Sequence, residues 1–524
     1  MPLMTMPVGL IVVLGLGLIL LTIRFLGARR FKVIQTVPIS SPLNTKTSLY
    51  QIVKKRLIDQ DTSTINVLYS LKSPHIAMLT RIHLADKAES TLDLQYYLFH
   101  NDQAGQAVLA ATVAAAQRGV KVRLLLDDMD MAGRDEYFKR LVKDTPNLEL
   151  RIFNPFYLRR FRMPEFPARF PPVTRRMHNK SFTADGIVSI VGGRNIGNEY
   201  FDVDTEVAFA DLDMLMGGEA AQEITTRFNQ YWYSGIAFDI ERLCSRKISD
   251  SKYQQWLNQL NQHLTNYRAE VNQRRDVIDR LIQDSNNDIY FAPINVLADP
   301  PHKVLDTLWK KDNDYMSFEL IKLIKLIRSA QQDLWISSPY FIPGKEGLKV
   351  FQELRDRNVT ITILTNSFAA NDVAAVHAGY MKYRKRLLKM GVKLYELQAP
   401  LNSDNNWSFL GSKRASLHAK ALIIDHQYAF VGSFNLDPRS AIHNTEMGIV
   451  FNSEHYGEKA IQHLQRYLET QAYELKLSKY NKIEWCLTAS KTHEAKKLTH
   501  EPNVAWYQRI ILTIIAVLPV EWLM

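Results

Sequence analysis

One multipart spacing occurs twice in this 524-residue chain, and it constrains the fold more than any other feature. The first copy reads Met177-His178-Asn179-Lys180, then Asp185, then Gly192-Gly193-Arg194-Asn195, then Glu206. The second reads Leu417-His418-Ala419-Lys420, then Asp425, then Gly432-Ser433-Phe434-Asn435, then Glu446. His, Lys, Asp, Gly, Asn and Glu keep identical offsets 240 positions apart. A lone His-x-Lys arises often by chance, whereas a whole constellation at one offset indicates two copies of one structural unit. Strand and helix signals alternate upstream of each copy. Thr91 to Phe99 alternates at period two and reads as a strand, Ala104 to Arg118 is Ala-rich and helical, and Val120 to Leu126 is a second strand. In the second half, 334–341, 347–356 and 359–364 repeat the order strand, helix, strand. The expected class is α/β.

The chain is long enough for two or three domains. Residues 1–23 carry no charged side chain, and Arg24, Arg29, Arg30 and Lys32 follow directly. Spanning a bilayer takes about 20 apolar residues, so 1–32 reads as an uncleaved membrane anchor with the bulk of the chain on the cytoplasmic side. A tether and lead-in segment is expected over 33–75, a first α/β domain over 76–250, a polar connecting helix and linker over 251–289, and a second domain over 290–480. The tail 481–524 ends in an apolar, Trp-flanked stretch suited to a membrane interface. Lys and Arg exceed Asp and Glu by 11, which favours anionic partners without choosing among phospholipid, nucleic acid and phosphorylated metabolites. Two cysteines, Cys244 and Cys486, exclude a disulfide framework and a Cys-based zinc cluster.

The residue types point to phosphoryl chemistry. Residues two apart on a strand share a face, so His178 and Lys180, and His418 and Lys420, each present an imidazole beside an ammonium. A neutral imidazole can attack phosphorus, and a second one can pass protons to and from alcohols. The lysines neutralise phosphate oxygens as charge develops. Asn195, Asn435 and Ser433 are candidate phosphate-binding groups. Glu206 and Glu446 are candidates to hold the far ring nitrogens and stabilise each imidazolium. A lysine at this spacing argues against a metal site, since ammonium repels a cation and offers no lone pair.

The duplicated pattern resembles the HKD motif of the phospholipase D superfamily over roughly residues 76–480. That resemblance implies two phospholipase D-like domains, each a mixed sheet flanked by helices, in pseudo-twofold arrangement behind an N-terminal transmembrane helix. It also implies one active site without metal or cofactor, built from His178, Lys180 and Asp185 with His418, Lys420 and Asp425. His178 is then the nucleophile and His418 the general acid and base, with the aspartates as supports. Gly193 stands where the family usually has Ser, as at Ser433, so the half-sites are expected to differ. The stretch Thr365 to Arg384 with His377, the run Asp299-Pro300-Pro301-His302-Lys303 and the closing Leu518-Pro519-Val520-Glu521-Trp522-Leu523 are similar to bacterial cardiolipin synthases of the C type. The resemblance implies phosphatidyl transfer from phosphatidylethanolamine to phosphatidylglycerol at the bacterial inner membrane. A membrane phospholipase D hydrolase and a membrane-tethered nuclease use the same motif and remain alternatives. The loop Phe153 to Phe170 interleaves aromatics with arginines and suits headgroups or bases; with the anchor it favours lipid over nucleic acid.

Overall fold

The structure, a computed structural model, describes residues 17–18, 20–22, 43–58, 65–203, 209–273, 289–305, 318–371, 373–399, 407–408, 411–412, 416–487, 495–505 and 507–509. The expected anchor and the apolar end of the tail lie almost wholly outside these, and among the described residues no helix is long and apolar enough to cross a membrane.

Each half builds the same six-strand unit. In the first, Thr91–Tyr96, Lys121–Asp127 and Leu148–Phe153 run parallel. Ser181–Ala184, Val188–Gly192 and Asp213–Gly217 continue the sheet antiparallel. In the second, Asp333–Ser337, Thr360–Asn366 and Lys393–Leu397 are parallel, and Lys420–Ile424, Tyr428–Gly432 and Met447–Asn452 antiparallel. The first two parallel strands of each half are those expected from sequence, with ends that differ by a few residues.

Two further strands join the halves into one sheet. Ile65–Leu71 pairs with Asp213–Gly217 on one side and with the start of Ile289–Ala298 on the other. The far end of Ile289–Ala298 pairs with Met447–Asn452. Part of the stretch expected as tether is therefore a central strand, flanked by the helix Ser48–Leu57. Leu68, Met214, Met216, Val296, Val431, Ile449 and Phe451 form an apolar cluster at this seam, so backbone pairing and buried side chains both fix how the halves meet.

Helices cover the sheet. Gln103–Gln117 is capped by Asp102, whose side chain accepts from the Gly105 amide. Its alanines are buried nearly all round because the helix Asp250–Gln273 packs over it. That outer helix presents Tyr253, Trp256, Leu260, Leu264, Tyr267 and Val271 inward, at three- and four-residue steps. The expected connecting helix is thus a layer of the first half.

Candidate active site

Each motif histidine sits in an extended segment just before its motif strand, and the opposite half holds its backbone. The His178 amide donates to the Thr445 carbonyl at 2.8 Å, beside a parallel bridge from Met177 to Thr445. Ser416–Leu417 pairs in parallel with Phe209–Ala210, and the His418 amide donates to the Ala210 carbonyl at 2.8 Å.

The side chains cross over in the same way. Glu446 of the second half meets His178 of the first, with Oε1 3.3 Å from Nδ1. Asp211 of the first half meets His418 of the second, with Oδ2 2.5 Å from Nδ1. Each motif histidine thus meets a carboxylate that the opposite half supplies. With Nδ1–H donated to a carboxylate, each ring keeps its Nε2 lone pair for chemistry. Asn444 Nδ2 lies 3.2 Å from His178 Nε2, and Tyr97 leans on that ring with centroids 4.2 Å apart. Phe209 stacks on His418.

Glu206 lies outside the described residues, and the carboxylate on His418 is Asp211. The sheet register explains why equal offsets miss it. Gly192 pairs with Asp213, and Gly432 pairs with Gly448. Two residues upstream of those partners stand Asp211 and Glu446, so they are structural counterparts, although the first half has five more residues in between. The same geometry accounts for Gly193. A Cβ there would come within 2.2 Å of Asp211 Oδ1, so a serine does not fit beside the shorter acid. In the second half Ser433 Oγ donates to Glu446 Oε2 at 2.5 Å and Ser440 Oγ to Oε1 at 2.9 Å. The two half-sites are unequal in both acid and support.

Asp299 and Lys303 brace the Glu446 side. Asp299 Oδ2 accepts from the Glu446 amide at 3.1 Å and from Lys303 Nζ at 2.7 Å, and Lys303 also reaches the Ser440 carbonyl at 3.0 Å. Lys180 and Lys420 each donate to the carbonyl of their own histidine at 2.6 Å. Burial pushes the Lys180 ammonium down to about 7, with Glu446 opposing and Lys420 adding to the effect. Burial pushes His178 down to about 4 against the pull of Glu446. His418 is lowered by burial and by Lys420. Burial pushes the Asp211 carboxyl up, but His418, Lys420 and Arg194 more than offset it and hold it well below the usual carboxylate range. Glu446 is held low in the same way by His178 and Lys180. The resting site is therefore two neutral imidazoles, each on an ionised carboxylate.

The motif aspartates stand apart from this centre. Asp185 accepts from the amides of Glu89, Ser90 and Thr91, and Asp425 from those of Gln331, Gln332 and Asp333. Both take left-handed backbone, with φ of 53° and 51°. They tie each motif hairpin to the start of a neighbouring strand. Asn195 accepts from the Leu98 amide and donates to the Tyr200 hydroxyl, while Asn435 buries a carbonyl oxygen with no hydrogen-bond donor among the described residues. Among the described residues no group of three or more His, Cys, Asp or Glu side chains could hold a metal ion.

Two features read from sequence have different settings in the structure. Three of the four arginines of the 153–170 loop turn inward, and Arg160 is exposed: Arg159 pairs with Asp128 and Asp135, Arg162 with Asp128, and Arg169 with Glu165. They stabilise the loop and leave Phe161, Met163 and Phe170 outward. His377 is fully buried against Glu501 and Arg384, and Arg384 also pairs with Glu396. This network clamps the C-terminal segment to the helix Ala374–Lys389.

A family model described as "Cardiolipin synthase, PLD-like domain" matches residues 81–232 and 323–471, one span in each half. The chain belongs to the phospholipase D superfamily. It is 36% identical over 470 residues to cardiolipin synthase C of Escherichia coli strain K12, covering 87% of this chain and 96% of that protein. It is 23% identical over 412 residues to the major cardiolipin synthase ClsA of Bacillus subtilis strain 168, covering 77% of this chain and 69% of that protein. Phosphatidylserine synthase of Haemophilus influenzae Rd KW20 is similar in fold, with a TM-score of 0.52 at 15% identity, covering 81% of this chain and 92% of that one. The chain is a phospholipase D-type enzyme and a homologue of cardiolipin synthase C.

Proposed function

We propose that this enzyme makes cardiolipin by transferring a phosphatidyl group from phosphatidylethanolamine to phosphatidylglycerol through a phospho-histidine. The observation carrying this reading is the crosswise exchange of carboxylates, which gives one centre two histidines with different supports. His178 Nε2 attacks the donor phosphorus, and the bond from phosphorus to the ethanolamine oxygen breaks. That oxygen takes a proton from His418, whose protonated form is favoured by the incoming phosphodiester anion. The lysines hold the non-bridging oxygens, as do the side-chain amides of Asn195 and Asn435, while Ser433 donates its hydroxyl to Glu446 instead and Asp185 and Asp425 fix the motif hairpins. In the second step His418 takes the proton of a phosphatidylglycerol hydroxyl, whose oxygen displaces His178 from phosphorus. Release of ethanolamine balances formation of cardiolipin, with no metal or cofactor in any step.

The donor comes to this chain from its similarity to the C-type relative, since no headgroup contact bears on it. Residues 1–32 would tether the enzyme to the bacterial inner membrane with the catalytic body in the cytoplasm, as the positive charges after the apolar run favour. The test is detergent-solubilised protein given phosphatidylglycerol alone and then with phosphatidylethanolamine, with His178→Ala and His418→Ala as blanks. Cardiolipin and ethanolamine appearing only with both lipids support the proposal. Cardiolipin plus glycerol from phosphatidylglycerol alone replaces the donor, and phosphatidic acid without cardiolipin makes the enzyme a hydrolase. Cleavage of nucleic acid with no lipid turnover would overturn the lipid reading.

A further inference from the structure

A cavity of about 180 Å³ lies beside the catalytic centre, between the helices Phe318–Arg328 and Gly344–Asp356 and the turn into the short helix Pro438–Ile442. Its walls are almost wholly apolar, with Leu320, Ile324, Ile327, Val350, Phe351 and Leu436 among them. The polar groups at its edge are already engaged: Arg328 pairs with Glu353, Glu346 with Lys349, and Asp437 accepts from the Ser440 amide at 2.7 Å. Nothing there calls for a charged ligand. Apolar cavities of about this size stay dry and take apolar molecules, and leaving one empty costs stability.

The cavity shares walls with a crevice that reaches the catalytic machinery. Phe434 and Leu320 line it and also line a narrow crevice whose wall includes Glu446, the acid on His178. Phe434 lies between Ser433 and Asn435 of the second motif. The helix Pro438–Ile442 forms another wall and carries Ser440, which donates to Glu446 at 2.9 Å. The apolar lining suits an apolar, flexible and slender occupant, tethered to a group held near the histidines. An acyl chain of a diacylglycerol phosphodiester meets each condition.

We propose that this cavity receives the distal part of one acyl chain of a phospholipid substrate and thereby sets the enzyme's preference for chain length. The proposal rests on the phospholipid reading above. Each methylene transferred from water into such a site is worth about a fourfold gain in affinity, so specificity should climb stepwise with chain length until the cavity is full.

The test uses the full chain with free detergent removed and a series of substrates of increasing acyl length, dissolved in water as monomers below their micelle concentrations. For the wild type, kcat/KM is expected to rise by about fourfold per methylene over part of the series and then level off. Val350→Phe, which fills the cavity, should bring the plateau to shorter chains. Ile327→Ala, which enlarges it, should move the plateau to longer ones, an opposite shift that loss of folding does not produce. A phosphatidylglycerol with a diazirine at the acyl terminus provides a readout independent of turnover, with crosslinks expected on 320–327 and 342–351. Identical chain-length profiles in all three proteins, or crosslinks confined to other segments, would overturn the proposal. Crosslinks at these walls in a protein that turns over no lipid would keep the cavity's role and reject the phosphatidyltransferase reading.

Discussion

Replacing Asp211 with asparagine isolates the contribution of one charge. The side chain is wholly buried, its Oδ2 lies 2.5 Å from His418 Nδ1, and its Oδ1 accepts from the Leu212 amide at 2.7 Å. Asparagine keeps the size and can keep the Leu212 contact, so the fold should survive. What is lost is the anion facing a ring that must become positive when it carries a proton. Removing one partner of a buried ion pair costs about 3–5 kcal/mol, and about 1.4 kcal/mol is a decade in rate. A loss of about 10² to 10⁴ in kcat follows, the upper end being about what a triad loses when its acid becomes an amide. Asp211 raises the His418 pKa, so its removal should also carry the limb that reports the general acid to lower pH. The assay is release of ethanolamine from phosphatidylethanolamine across pH, with Glu206→Gln in parallel. The reasoning is refuted if Asp211→Asn keeps wild-type kcat while Glu206→Gln loses it, because the equal-offset acid would then be the partner of His418.

Other variants separate chemistry from support. His178 must be neutral to attack, and burial lowers it to about 4; the acid limb of kcat/KM should therefore fall near that pH, and a limb near 6.5 would show a solvated nucleophile. Gly193→Ser places a Cβ on Asp211 and should displace it, with a kcat loss approaching that of Asp211→Asn; full activity would mean that the acid has room to move. Asp185→Ala and Asp425→Ala each strip several amides of their acceptor and should lower stability by about 1–3 kcal/mol, read as a lower unfolding temperature with kcat retained in the surviving fold. A large kcat loss at unchanged stability would put these aspartates in the proton path.

The part of this molecule legible in sequence is the part that repeats. Motif histidines, lysines and strand–helix alternation recur with fixed spacing, and spacing survives without coordinates. Asp211 was hidden because five additional residues shift it out of the common offset, and only the pairing of Gly192 with Asp213 restores the match. Asn444 and Tyr97 touch His178 from distant points in the chain, so no local pattern marks them. The central role of Ile65–Leu71 was masked by its polar surroundings, because its partners are two strands far along the sequence. The inward pairing of Arg159 is not legible in the 153–170 loop alone, because its acids, Asp128 and Asp135, lie upstream of it.

The exchange of acids across the seam also bears on how such a centre acquires direction. Two identical chains meeting on a true twofold axis would offer indistinguishable histidines, and which one attacked would be settled afresh at each turnover. Joining the copies in one polypeptide removes that degeneracy, because each side can then accept substitutions that its counterpart does not share. The pairing of Gly193 with a short acid and of Ser433 with a longer one records such a divergence. Covalent linkage thus provides a permanent polarity between donor and acceptor sides that a symmetric assembly would have to re-create by breaking its own symmetry.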